Sequence, residues 1–163
     1  MNHHHTVAIL VNDHPGVLQR VSALFNRRGF NIDSITVGPS EQPGMSRMII
    51  VTLGDDRIMH QVINQVEKLI DVVNISILSE EPLVARELAL IKVEAEPVKR
   101  PEIMTLAETF RATIADVSSD SLVVQIVGDT EKIEAMIELL TPYGILQICR
   151  TGVTAIARGR KPF

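Results

Sequence analysis

TVAILVNDHPGVLQRVSALFNRRGFNIDSITVG, residues 6–38, is the stretch whose reading decides the fold. Thr6–Val11 is an unbroken apolar run of strand length. Asn12–Asp13–His14–Pro15–Gly16 follows it with turn chemistry, and Pro15 suits the opening of a helix. Val17, Leu18, Val21, Leu24 and Phe25 then repeat at helical spacing. Arg27, Arg28 and Gly29 close that helix with cations and a glycine, as its dipole and C-cap prefer. Phe30–Val37 reads as a second strand whose alternation slips at Asp33–Ser34, the mark of a bulge or an edge.

Outward from this stretch the pattern continues. Gly38–Gly44 is a hairpin loop and Met45–Leu53 a third strand. Gly54–Asp55–Asp56 opens a helix with Ile58, Met59, Val62, Ile63, Val66 and Leu69 as its apolar positions. Val72–Leu78 is a fourth strand. The order is β-α-β-β-α-β, the split βαβ unit.

After Ser79–Arg86, with Glu80, Glu81 and Pro82, the order starts again. Glu87–Val93 is a strand, Pro97–Pro101 leads into a helix, and Thr113–Val117 with Leu122–Val127 makes a hairpin. Gly128–Asp129 opens a helix at the joint equivalent to Gly54–Asp55, and Ile145–Ala157 is one last strand region. The expectation is α+β: two tandem ferredoxin-like βαββαβ domains, 1–78 and 87–163, joined by a linker at 79–86. Each should be a four-stranded antiparallel sheet with two helices on one face. Units this small are stabilised by packing together or by oligomerising.

Composition excludes several classes. A net charge of −4 without a basic stripe, and aromatics at 3% with no Trp, argue against a nucleic-acid surface. Arg158, Arg160 and Lys161 form only a short basic tail. No apolar run has the length of a membrane span, and the single cysteine fits a reducing compartment, so a cytoplasmic protein is expected.

Catalytic clusters are missing from the pattern. His14 and His60 stand alone, and Cys149, between Ile148 and Arg150, reads as a buried structural thiol. His3–His5 read as a disordered terminus or an expression tag rather than a metal site. Asp55–Asp56 favour the dipole of their helix. No phosphate-binding loop, metal site or catalytic residue is assigned.

One turn is chemically pointed. At Asn12–Val17 a strand meets a helix whose first backbone N–H groups are unpaired and favour a carboxylate. Gly16 lets a ligand approach the backbone, and Asp13 or Asn12 can meet an ammonium. A free α-amino acid carries both charges. The equivalent joint, Glu94–Ala95–Glu96–Pro97–Val98, has no glycine and is acidic, so it should repel a carboxylate.

The segments Asn12–Val21, Leu24–Gly38, Ser46–Arg47, Arg86–Val93, Phe110–Ala112, Asp116–Val117 and Arg150–Gly152 together resemble the small subunit of acetohydroxyacid synthase (acetolactate synthase). Its N-terminal half is an ACT domain. The resemblance implies a non-catalytic regulatory subunit, activating a catalytic large subunit and conferring feedback inhibition by valine or a related branched-chain amino acid. Thiamine diphosphate, Mg²⁺ and FAD would belong to that partner and not to this chain. The implied effector contacts are Asp13, Gly16, Val17, Asn31 and Ile32, assembled across a homodimer interface. Three positions depart from the family: it commonly has Glu–Asn where this chain has Asn12–Asp13, and a small Ala where it has Cys149. The other reading that stays open is a stand-alone amino-acid-binding ACT regulator of transcription or of another enzyme. The C-terminal segments favour the small subunit.

Overall fold

A computed structural model describes residues 2–160. Lys161, the end of the basic tail, lies outside the described residues. The described residues divide into two compact units: 2–84 with 153–160, and 85–152.

The first unit contains β1 (Asn2–Asn12), α1 (Val17–Arg27), β2 (Asn31–Pro39), β3 (Met45–Asp55), α2 (Asp56–Val66) and β4 (Val72–Ile77). Its antiparallel sheet has the order β2-β3-β1-β4, so β1 is central and β2 is an edge. Val7, Ile9 and Val11 of β1 alternate onto the face that packs on Val17, Val21 and Phe25 of α1 and on Met59, Val62 and Val66 of α2. Period two in the strands meets period 3.6 in the helices, which is why one core forms. The slip in the second strand is a bulge: the β2–β3 register shifts between Ile32 and Ser34, leaving Asp33 as the extra residue.

Helix α1 ends where the sequence indicates. The Arg28 and Phe30 N–H groups both donate to the Phe25 carbonyl at 3.1 Å, with Gly29 at φ 77°. Phe30 then enters the core, and a Cβ on Gly54 would stand 1.8 Å from its ring. Asp55 caps α2, its carboxylate accepting from the Arg57 and Ile58 N–H groups.

The second unit repeats the plan. It contains the greater part of β5 (Leu83–Glu94), then α3 (Arg100–Thr109), β6 (Thr113–Val117), β7 (Ser121–Gly128), α4 (Thr130–Leu140) and β8 (Ile145–Arg150), with the order β6-β7-β5-β8. Its own core gathers Ile91, Val93, Ile103, Leu122, Val124, Ile133 and Met136. Bulges recur at equivalent places, between Ile114 and Asp116 and between Lys92 and Val93. Asp129 caps α4 as Asp55 caps α2.

The structure departs from the sequence reading at five places. His3–His5 are not a disordered terminus: they extend β1, whose ladder with β3 reaches from Asn12↔Met45 to Asn2↔Asp55. His5 is buried there, its Nε2 3.2 Å from the Gly54 carbonyl. Ile145–Ala157 is not one strand. It breaks at Thr151–Val153 into β8 and a short β9 (Thr154–Ala157) that pairs with β5, so this sheet has five strands rather than four. The expected linker 79–86 is a 3₁₀ turn (Leu78–Glu80) running into β5. The tail from Val153 belongs to the first unit rather than to an 87–163 domain. Ser34 Oγ takes the Val153 N–H at 3.4 Å, Thr36 Oγ1 donates to the Val153 carbonyl at 3.3 Å, and Ala155 is buried. Lastly, Cys149 is a free thiol but exposed. It pairs with Leu90, out of phase with the core-facing Ala89 and Ile91, so it takes the opposite face of the sheet.

Candidate functional site at the first strand-to-helix joint

The Asn12–Val17 turn leaves the end of a central strand and is held in place by backbone. The Asn12 N–H donates to the Asp71 carbonyl at 2.8 Å and the Asp13 N–H to the Gly44 carbonyl at 2.9 Å. The turn is thus tied to the segments preceding β4 and β3. Gly16 is the N-cap of α1 with φ 84°, left-handed backbone that a side chain disfavours, and it offers no capping side chain. The Val17 N–H reaches the His14 carbonyl at 3.3 Å and the Arg20 N–H the Gly16 carbonyl at 3.0 Å. The Gly16, Leu18 and Gln19 N–H groups have no partner among the described residues. A helix start with unspent N–H donors and a partial positive charge is an anion site.

Each expected site residue has a definite place. Asp13 and Gly16 are exposed at this joint. Val17 is 3% exposed and points into the core, so its part is to anchor the turn. Asn31 and Ile32 are elsewhere. Asn31 pairs with Leu53 while Asn12 pairs with Met45, eight residues away along β3, or about 26 Å at 3.3 Å per residue. Within one chain these residues lie at opposite ends of the sheet. Asn31 is exposed, and its carbonyl accepts the hydroxyl of the buried Thr52 at 2.6 Å.

Contacts among three side chains at the joint escaped the sequence reading. Asp71, 6% exposed, accepts from the Arg20 guanidinium at one oxygen, and His14 Nδ1 lies 3.0 Å from the other. These bonds, to His14 first and then to Arg20, hold the Asp71 carboxyl below the usual carboxylate range. His14 therefore does not stand alone, and His60 has Glu80 at 3.3 Å. The available signal for Arg20 was its place four residues after Gly16 on one helix face. In the β2–β3 hairpin Arg47 grips Glu41 with two bonds of 2.8 and 3.0 Å. That grip, helped by a backbone N–H, brings the Glu41 carboxyl down to about 2.

In the second unit the equivalent joint has the same backbone ties: the Glu94 N–H to the Gly144 carbonyl and the Ala95 N–H to the Asp120 carbonyl, both 2.8 Å. Its chemistry is different. Arg100 donates to the Ala95 carbonyl at 3.0 Å and to the Ser118 and Ser119 carbonyls, closing the loop over itself. Glu94 and Glu96 are exposed.

Comparison with known proteins decides the family. A model described as the small subunit of acetolactate synthase matches residues 86–159, and one described as the AHAS small subunit-like ACT domain matches residues 7–74. The chain belongs to the acetolactate synthase small-subunit family. It is 51% identical over 157 residues to a protein of Archaeoglobus fulgidus named "Probable acetolactate synthase small subunit", covering 96% of this chain and 98% of that one. It is 48% identical over 155 residues to the acetolactate synthase small subunit of Mycolicibacterium smegmatis, covering 95% and 91%. The crystal structure of the acetolactate synthase small subunit from Thermotoga maritima superposes with a TM-score of 0.89 at 44% identity, over 98% of this chain and 99% of that one. The joint just described is therefore the first strand-to-helix turn of an ACT domain in an acetolactate synthase regulatory subunit, a protein that implies a catalytic large-subunit partner.

Among the described residues no three His, Cys, Asp or Glu side chains gather as a metal-binding group. Among those same residues no helix is long and apolar enough to cross a membrane.

Proposed function

We propose that this chain senses valine, or a closely related branched-chain amino acid, at the Asn12–Val17 joint and relays its presence to the catalytic large subunit of an acetolactate synthase in the cytoplasm. The observation that carries the reading is the left-handed Gly16 at the head of α1 with the Gly16, Leu18 and Gln19 N–H groups unspent. The effector carboxylate sits on those groups, and its ammonium meets the exposed Asp13 carboxylate. The chain activates its partner and does no chemistry itself. Thiamine diphosphate, Mg²⁺ and FAD belong to the large subunit.

The site is completed by a second copy. Strand β2 is an unpaired edge, and edges invite pairing. Two β2 strands paired antiparallel about Ile35, the middle of Asn31–Pro39, set Asn31 and Ile32 of the partner subunit against the Pro39 end. Pro39 is level with Ser46 and hence with Val11, the end of the sheet that bears the joint. A two-fold dimer of this kind has two equivalent sites and one eight-stranded sheet.

Reconstitution tests the reading. The purified chain added to the large subunit raises acetolactate formation, valine reverses the gain, and light scattering shows a dimer at micromolar concentration. A chain that leaves the rate unchanged with its cognate large subunit overturns the proposal, as does one that stays monomeric while responding fully to valine.

A further inference from the structure

The Arg20 guanidinium stands beside the turn. A Cβ built on Gly16 would lie 3.1 Å from Arg20 Nη1, so this nitrogen occupies the space next to the N–H groups at the start of α1. It is held there. Arg20 Nη2 donates to one oxygen of Asp71, a carboxylate side chain only 9% exposed, and His14 Nδ1 occupies the other oxygen at 3.0 Å. Asp71 is itself fixed, since its backbone carbonyl takes the Asn12 N–H. One of the guanidinium's three nitrogens, Nη2, is thereby held and two are left over: Nη1 and Nε have no partner among the described residues, and the side chain is 47% exposed. An arginine whose only bonds are to one side of its fork presents the other side to a ligand, and a planar fork suits a carboxylate.

We propose that Arg20 is a specificity-determining residue of the effector site: its Nη1 takes one oxygen of the effector's α-carboxylate while the N–H groups at the head of α1 take the other, and Asp71 with His14 aims it. This rests on the effector reading above. It adds a cation to a site that backbone dipoles alone would make only weakly selective for charge. It also gives a second reason for glycine at position 16, because any side chain there contends with the guanidinium for the same space.

The experiment is calorimetric titration of the full-length chain with L-valine and with L-valinamide, which keeps the ammonium and the isopropyl group and loses the negative charge. The wild-type chain prefers valine. Arg20→Gln lowers valine affinity by about tenfold to a hundredfold, the loss of one charge-assisted hydrogen bond, and valinamide affinity by about twofold at most. Arg20→Lys, which keeps the cation and loses the fork, falls between. Asp71→Asn reduces the preference as well, because the guanidinium is no longer aimed. A merely structural Arg20 moves both ligands together, so an Arg20→Gln chain with the wild-type ratio of affinities overturns the assignment, whether both affinities fall or neither does. If Arg20→Gln does not fold, Arg20→Lys decides on the same ratio: lowered supports the assignment, unchanged overturns it. A wild-type chain that binds no branched-chain amino acid overturns the effector reading and this assignment with it. One that binds valine while the ratio in the variants is unchanged overturns this assignment alone.

Discussion

The two strand-to-helix joints share a backbone and differ in chemistry. In each, the last strand residue and its successor donate to the segments preceding two neighbouring strands: Asn12 and Asp13 to Asp71 and Gly44, Glu94 and Ala95 to Gly144 and Asp120. Counting on from those ties, Pro15 corresponds to Pro97 and Gly16 to Val98. At the first joint glycine takes a left-handed conformation and leaves N–H groups open, with Arg20 poised beside them. At the second, Arg100 spends its donors on the loop's own carbonyls, and α3 starts at Arg100 beneath an N-cap, Lys99, of ordinary helical conformation. The same scaffold thus makes a receptor once and a self-satisfied turn once. Architecture is common to both units, and under the proposed function sensing resides in a handful of residues at one joint.

The change that breaks this contrast most completely is Gly16→Asp. A side chain at a left-handed, crowded position blocks the ligand and brings like charge to its carboxylate. In wild type, valine at a hundredfold excess over its dissociation constant stabilises the fold by about 2.7 kcal/mol, and that gain vanishes in the variant. Val98→Asp, at the corresponding and 86% exposed position, leaves the gain intact. Thermal melts with and without valine check both.

Next in size is a change confined to the second unit. Glu87 is buried, and Arg150 holds it at 2.6 and 3.0 Å while also reaching Glu134. Arg150→Ala strands that carboxylate and costs about 3 kcal/mol of stability, read from urea midpoints. Because the pair is remote in sequence from the sensing joint, the ratio of valine to valinamide affinity is unchanged in the variant.

How much of this contrast the sequence carries depends on the range of the interactions involved. The bulge at Asp33, the left-handed Gly29 after α1 and the N-caps at Asp55 and Asp129 are local, and local patterning reveals them. The apolar tail from Ile145 alternates well enough to read as one strand. Only hydrogen bonds to Ser34 and Thr36, over a hundred residues earlier, show that the chain breaks at Val153, between β8 and β9. Asp71 is hidden for the same reason: its partners His14 and Arg20 precede it by more than fifty residues. Cys149 was misread because its neighbours suggest burial while the phase of an edge strand sets it outside. At the candidate site the turn was legible, whereas the charged clasp around it was not.

Smaller effects sharpen the comparison. Asn31→Ala removes one uncharged contact from the proposed shared site and weakens valine binding by about 0.5–1.5 kcal/mol, roughly two- to tenfold, in titration calorimetry. The smallest effect is in acid. Asp71 and Glu41 both titrate lower in the folded chain than in the unfolded one, Glu41 moving from 4.5 to about 2. The unfolded chain therefore binds more protons, so stability conferred by these groups is complete above about pH 4.5 and is lost as the pH falls toward 2. Denaturation midpoints should rise with pH across that window, and less steeply in Asp71→Asn than in wild type.

The central claim is that one joint senses and the other does not, and the inhibition curve of the reconstituted pair carrying Gly16→Asp tests it most directly. The account predicts a large subunit activated as fully as by the wild-type chain and no longer inhibited by valine at any concentration. A Gly16→Asp chain that folds, activates and remains fully inhibitable by valine would contradict it and place the effector away from the head of α1.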